Sequence, residues 1–290
     1  MNLEIEYKDR EGVIHNLNFN MPLTAFLKHA AFSGYYSVSF FRRMEKATGI
    51  YLTFKDYLDK ETFSNNKFST PSIDICEPTE KAHFSNIVGK AIADFLSKKI
   101  DNSLYTVNYE AAMRVSGYSL SGSRPDLLAF ANIERFALEA KGYKKINVSD
   151  DDMHKHKLQS QEGPIPVDFT VASVSYGLYS RVKCKYHDPV QANNKNDEDL
   201  LRKLTKSYYS DIHSFYLEHK KESKSYSIQN EEFIEVKLND ELGLIIPKDI
   251  EEYAKTGLNK NTNPFMFYVQ DREDFYIDRD RIGLIVYNLK

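Results

Sequence analysis

Apolar residues recur along this chain at two spacings, and each change of spacing marks a new element. "LEIEY" and "VIHNLNF" alternate on either side of "KDREG", which predicts an N-terminal β-hairpin. "PLTAFLKHAAF" follows with Pro22 at its head and reads as a helix. In "PTEKAHFSNIVGKAIADFLSKKI", Phe84, Ile87, Val88, Ala91, Ile92, Phe95 and Leu96 recur at every third or fourth position. That spacing predicts an amphipathic helix, with Thr79 as its N-cap. "SLYTVNYEAAMRV" reads as a strand, and "RPDLLAF" and "RFALEAKGY" read as two more, joined by the short "ANIE". "SDDDMHKHKLQSQEG" predicts a helix capped by Ser149, and "VDFTVASVSYGLYS" and "SRVKCKYHDP" return to β patterning.

Two polar breaks, "SNNKFSTPS" and "VQANNKNDED", divide the pattern into three parts: an N-terminal α+β region (1–78), a core (79–190) and a C-terminal α+β region (191–290). The last part opens with the helical "LLRKLTKSYYSDIHSFYLEH". It continues through the polar "KKESKSYSIQNEE" to strand-like "FIEVKL", "GLIIP", "FMFYV" and "IGLIVYNL". The expected fold class is α/β, a mixed sheet flanked by helices.

Composition changes this picture little. The chain has 290 residues, 41% of them apolar and 28% charged, enough to bury a sizeable core. No apolar run approaches the roughly 20 residues of a membrane span, and the N-terminus lacks the apolar stretch of a signal peptide, so no membrane partner is expected. Cys76 and Cys184 fit no zinc spacing and read as buried, reduced thiols of a cytoplasmic protein. A net charge of −3 excludes a chain coated in positive charge, but leaves room for a local basic patch. Residues 79–190 hold 15 Lys and Arg against 13 Asp and Glu, which makes the core the least acidic part.

The chemistry concentrates at residues 121–145. Alternation within "RFALEAKGY" places Phe136, Leu138 and Ala140 on one face and Ala137, Glu139 and Lys141 on the other. Asp126 heads the preceding strand, so an antiparallel pair brings its carboxylate toward Glu139. Two carboxylates buried side by side repel, and a divalent cation with oxygen ligands removes that cost. The Ala140 carbonyl is a further ligand candidate, and Lys141 would lie beside a metal-bound water. E-x-K triplets start at Glu6, Glu139, Glu218, Glu222 and Glu235, but only Glu139 combines apolar flanks, an upstream Pro-Asp and a downstream helix.

"RPD" followed by "EAK" on paired strands resembles the PD-(D/E)xK nuclease superfamily over residues 79–185. Pro125 and Asp126 match the first half of the motif; Glu139 and Lys141 match the second. The resemblance implies a restriction-endonuclease-like core and Mg²⁺-dependent hydrolysis of DNA, less often RNA, with Mn²⁺ able to substitute. Asp126 and Glu139 would hold the metal with Ala140, and Lys141 would assist the water. Members often add an acid from the first helix, here Asp94 rather than Glu80, with Glu110 as a further option. A polar residue of the later helix is expected to contact the water or the substrate, here Gln159 ahead of Gln161.

Arg124, Lys144, Lys145, Lys155, Lys157, Arg181 and Lys183 are the candidate nucleic-acid contacts, and Lys185 shares the strand face of the last two. His154 and His156 diverge by about 200° on a helix and so do not form a metal pair. Two settings suit such an endonuclease: restriction, with a homodimer making two cuts, or antiviral defence, with a regulatory partner. The alternative is a non-catalytic nucleic-acid-binding or scaffold protein on the same fold.

Overall fold

The computed structural model describes residues 1–34, 48–70, 77–131, 134–187, 198–228, 230–257, 270–271 and 274–287. Cys76 and "FMFYV" lie outside the described residues.

The N-terminal hairpin forms as β1 (Asn2–Lys8) and β2 (Ile14–Asn20), paired antiparallel, and the helical pattern after Pro22 becomes α1 (Leu23–Phe32). After α2 (Lys60–Ser64) comes the long helix α3 (Pro78–Ile100). Its N-cap position is Glu77 rather than Thr79, because Pro78, with φ already helical, occupies the first turn.

The strand expected over "SLYTVNYEAAMRV" is cut short. β3 (Tyr105–Asn108) ends where the Asn108 side chain accepts a hydrogen bond from the Ala111 N–H (3.1 Å), starting helix α4 (Tyr109–Val115). The chain continues through β4 (Leu127–Phe130), β5 (Arg135–Tyr143), α5 (Asp150–Gln161), β6 (Phe169–Tyr176) and β7 (Lys183–His187).

These strands form a seven-stranded mixed sheet in the order β2-β1-β7-β6-β5-β4-β3. β5 runs parallel to β6 and β1 parallel to β7, while the other neighbours are antiparallel. The N-terminal hairpin therefore completes the sheet built by the central part of the chain. Helices flank this sheet: Phe136, Leu138 and Ala140 pack with Phe84, Val88, Ala91, Ile92 and Phe95 of α3.

The C-terminal part adds α6 (Glu198–His219), β8 (Lys224–Ile228), β9 (Glu231–Lys237), β10 (Leu242–Pro247), α7 (Ile250–Thr256), β11 (Gln270–Asp271), β12 (Phe275–Ile277) and β13 (Gly283–Val286). The six strands make a second, antiparallel sheet. The polar "KKESKSYSIQNEE", expected as a break, supplies its exposed edge strand β8, where pairing to β9 rather than burial fixes the backbone. α6 joins the two sheets: the Tyr208 ring stacks on Tyr105 of β3 at 4.8 Å.

Candidate functional site: a two-carboxylate, two-lysine cluster

The β4–β5 register pairs Leu127 with Leu138, so one step further sets Asp126 across from Glu139. Residues opposed in an antiparallel pair project to the same side, and Lys141 shares that side by the period of two. Their side chains meet. Lys141 Nζ lies 3.3 Å from Asp126 Oδ2 and forms a close ion pair with Glu139. The Ala140 N–H donates to Asp126 Oδ2 at 3.2 Å, tying the head of β4 to β5.

A second cation arrives from α3: Lys90 Nζ stands 3.1 Å from Asp126 Oδ1. α3 comes this close because glycines face each other across the contact. A Cβ on Gly89 would sit 2.6 Å from the Gly142 nitrogen, and one on Gly142 would overlap the Ser85 carbonyl.

The electrostatics separate the two acids. Glu139 is fully buried, and burial, reinforced by the charge of Asp126, pushes its pKa up to about 7 against the opposing pull of Lys141. For Asp126 burial also opposes ionisation, but Lys90 and Lys141 outweigh it and hold the carboxyl below its ordinary range. Lys141 is disfavoured by burial and then held above its usual value by Asp126 and Glu139. Among the described residues no hydrogen bond reaches Glu139 Oε2.

α5 lies beside the cluster. Its N-terminus carries a capping box, with Ser149 Oγ accepting from the Asp152 N–H (3.1 Å) and the Asp152 side chain accepting from the Ser149 N–H. Gln159 Nε2 approaches the Arg124 carbonyl at 3.4 Å, next to the start of β4. His156 Nε2 lies 2.9 Å from the Tyr143 hydroxyl, and burial, then the Lys141 charge, lower its pKa. His156 is thus half-buried near the cluster rather than turned to solvent, while Gln161 and His154 are exposed.

Several expected residues go elsewhere. Asp94 is fully engaged in a separate buried network, pairing with His29 Nδ1 (2.6 Å) and accepting from Thr106 Oγ1 (2.8 Å). In that network Lys98 lies 3.1 Å from both Asp278 and Asp280, and Lys28 2.6 Å from both. Glu80 accepts from the Tyr57 hydroxyl at 3.0 Å. Glu110 stands in α4, not in a strand, and pairs with Arg124, so Arg124 neutralises Glu110 instead of Asp126.

Of the expected nucleic-acid contacts, Lys145 pairs with Asp152, and Lys157 donates to the Thr170 carbonyl at 2.6 Å. Arg181 and Lys183 share Glu4, and Lys185 reaches Glu6 (3.1 Å) and Asp150 (3.2 Å). The parallel β1–β7 register sets Glu4 beside Lys183 and Glu6 beside Lys185, so the basic strand face meets an acidic one. Lys144 and Lys155 are exposed.

The sequence reading missed Lys90. Between Phe84 and Ser97 of α3 the charged residues are Lys90 and Asp94, and their spacing alone does not separate them. Only the Gly89–Gly142 approach, a tertiary feature, decides which of them reaches the cluster.

Cys184 is buried and its thiol is pushed up to about 12 by burial, which makes it unreactive. Among the described residues there is no helix long and apolar enough to cross a membrane. None of their His, Cys, Asp and Glu side chains form a metal-holding group of three or more. Comparison with protein-family models, curated proteins and solved structures found no match for this chain.

Proposed function

We propose that this protein is a metal-dependent phosphodiesterase acting on nucleic acid, DNA before RNA, with the Asp126–Glu139–Lys141 group as its reaction centre. One observation carries the reading: two carboxylates and a lysine from adjacent strands converge on one point, and one carboxylate is buried and pushed up to about 7. This convergence supports the PD-(D/E)xK resemblance carried by Asp126, Glu139 and Lys141.

The donor set fits Mg²⁺ or Mn²⁺. Asp126 and Glu139 offer hard oxygen ligands, the Ala140 carbonyl lies between the matched acid and lysine in sequence, and Glu139 Oε2 has no hydrogen bond among the described residues. When bound, such a cation supplies a water activated at neutral pH and charge compensation for the phosphate. The chain's own groups do the rest. Lys141, held cationic by the two acids, orients the attacking water and offsets charge building on the phosphate oxygens. Lys90 adds a second positive charge on the α3 side of Asp126. Gln159, whose amide approaches the Arg124 carbonyl near the head of β4, would hold the substrate or the water.

A second reading has its own support. Lys90 and Lys141 match Asp126 and Glu139 in number, so with both acids ionised the cluster is balanced without a cation and would suit a non-catalytic nucleic-acid-binding or scaffold protein. Incubating purified protein with plasmid, linear and single-stranded substrates in Mg²⁺, Mn²⁺ or EDTA separates the two. Cutting that needs metal and disappears in Asp126→Ala, Glu139→Ala and Lys141→Ala, with circular dichroism unchanged, supports the phosphodiesterase. Retention of nucleic acid without products, equal with and without metal, supports the binding protein.

A further inference from the structure

We propose that the cavity between α1, the helical segment 48–53 and α3 is a subsite for one unpaired nucleobase. The substrate class would then be single-stranded or locally unpaired nucleic acid. This inference rests on the phosphodiesterase reading of the Asp126 cluster.

The cavity measures about 530 Å³, inside the range of roughly 300–1,000 Å³ found for small-molecule sites. Half-buried Ile87 and the edges of the core residues Ile50 and Phe54 give it an apolar wall, while His83 and Asn86 stand exposed at its rim. An Asn amide offers both a donor and an acceptor to a base edge. His83, Asn86, Ile87 and Lys90 fall at i, i+3, i+4 and i+7 of α3, so they form one stripe along the helix.

Lys90 closes the connection. It lines the cavity and also holds Asp126 at 3.1 Å. A base seated against Ile87 would therefore bring its own phosphate to Lys90, next to the reaction centre.

A base stacked and paired within a duplex cannot enter such a recess without being extruded, whereas a single strand presents it directly. The surface charge points the same way. The cations expected to contact a nucleic-acid backbone are largely engaged, Arg181 and Lys183 by Glu4, Lys185 by Glu6, Arg124 by Glu110 and Lys145 by Asp152, which leaves more of the binding to a base contact.

The test is fluorescence anisotropy in EDTA, where no metal-dependent cutting occurs, with a short labelled single strand, its duplex, and single strands carrying one abasic nucleotide at successive positions. Wild type is compared with Ile87→Trp, which fills the cavity, and with Asn86→Ala at the exposed rim in case the larger substitution disturbs folding. The wild type is expected to favour the single strand over the duplex by about tenfold. Ile87→Trp is expected to weaken single-strand binding by about tenfold with duplex binding unchanged, the order expected for losing one base contact. One abasic position should reproduce that loss in the wild type and add nothing in Ile87→Trp.

Equal affinity for single strand and duplex, or single-strand binding indifferent to both substitutions, overturns the subsite. Cleavage of the same oligonucleotides in Mg²⁺ separates the two claims. Cutting with cavity-independent binding keeps the phosphodiesterase and removes the subsite. Cavity-dependent binding without cutting removes the phosphodiesterase and keeps the subsite.

Discussion

Lys90 of α3 sets its ammonium 3.1 Å from Asp126 Oδ1, so the carboxylate heading β4 is held from two sides, by a helix and by the neighbouring strand. This contact couples the depth at which α3 packs to the ionisation of the acid. It also keeps Asp126 ionised near neutrality, leaving Glu139 as the member that changes state there.

Removing that contact should move a titration. Lys90→Met takes away the larger of the two charge effects that hold Asp126 down, so burial is less opposed and the pKa of Asp126 should rise. Carbon-13 NMR titration of labelled aspartate reads the shift directly. An unchanged Asp126 titration would show that Lys90 does not govern it.

Glu139 should make metal-free stability depend on pH. Its pKa is 4.5 without the fold and about 7 within it, so the folded state holds the proton more tightly. Its contribution is fully present below pH 4.5 and is lost as pH rises through 7. The whole change is roughly 3 kcal/mol by the linkage relation. Glu139→Gln should flatten the stability profile across this window and raise stability at pH 8, as measured by urea unfolding in EDTA. For the same reason, stabilisation by added Mg²⁺ should be larger at pH 8 than at pH 6.

Gly142→Ala should separate α3 from β5. The added methyl meets the Ser85 carbonyl, which is rigid helix backbone and cannot swing aside. Destabilisation of about 1–3 kcal/mol is expected, the usual cost of overpacking, together with displacement of Lys90 from Asp126. Thermal unfolding gives the first effect and the Asp126 titration the second. A control at exposed Lys144, changed to Ala, should move stability by less than about 0.5 kcal/mol.

The network at Lys98 should dominate the attachment of the C-terminal sheet. Lys98→Ala leaves Asp278 and Asp280 buried with one cation fewer, and a loss of about 3–5 kcal/mol is expected for breaking a buried pair. Denaturant unfolding monitored by tyrosine fluorescence measures it. Lys98→Met, which keeps the buried stem, should recover only the packing part of that loss.

The sequence by itself determined the elements whose periodicity is strong and whose ends are chemically marked. α3 follows from its apolar spacing, α5 from its Ser149 cap, and the β4–β5 pair from alternation across a short connection, because each of these acts within a few residues, whereas the N-cap of α3 fell at Glu77 and not at Thr79. The Asp126–Glu139–Lys141 face was legible for the same reason, since a hairpin register is a local property. The α4 turn was hidden behind apolar residues that suit helix and strand equally, and the Asn108 cap decided between them.

What only the tertiary structure decided is which charges meet. Glu4 is adjacent to Lys183 because β1 and β7 pair in parallel although they lie far apart in the sequence, and Asp94 finds His29, not Asp126, because α1 packs on α3. Coulombic partnership depends on distance in space, falling with separation and set by burial. A linear pattern carries almost none of that information once the partners lie many residues apart.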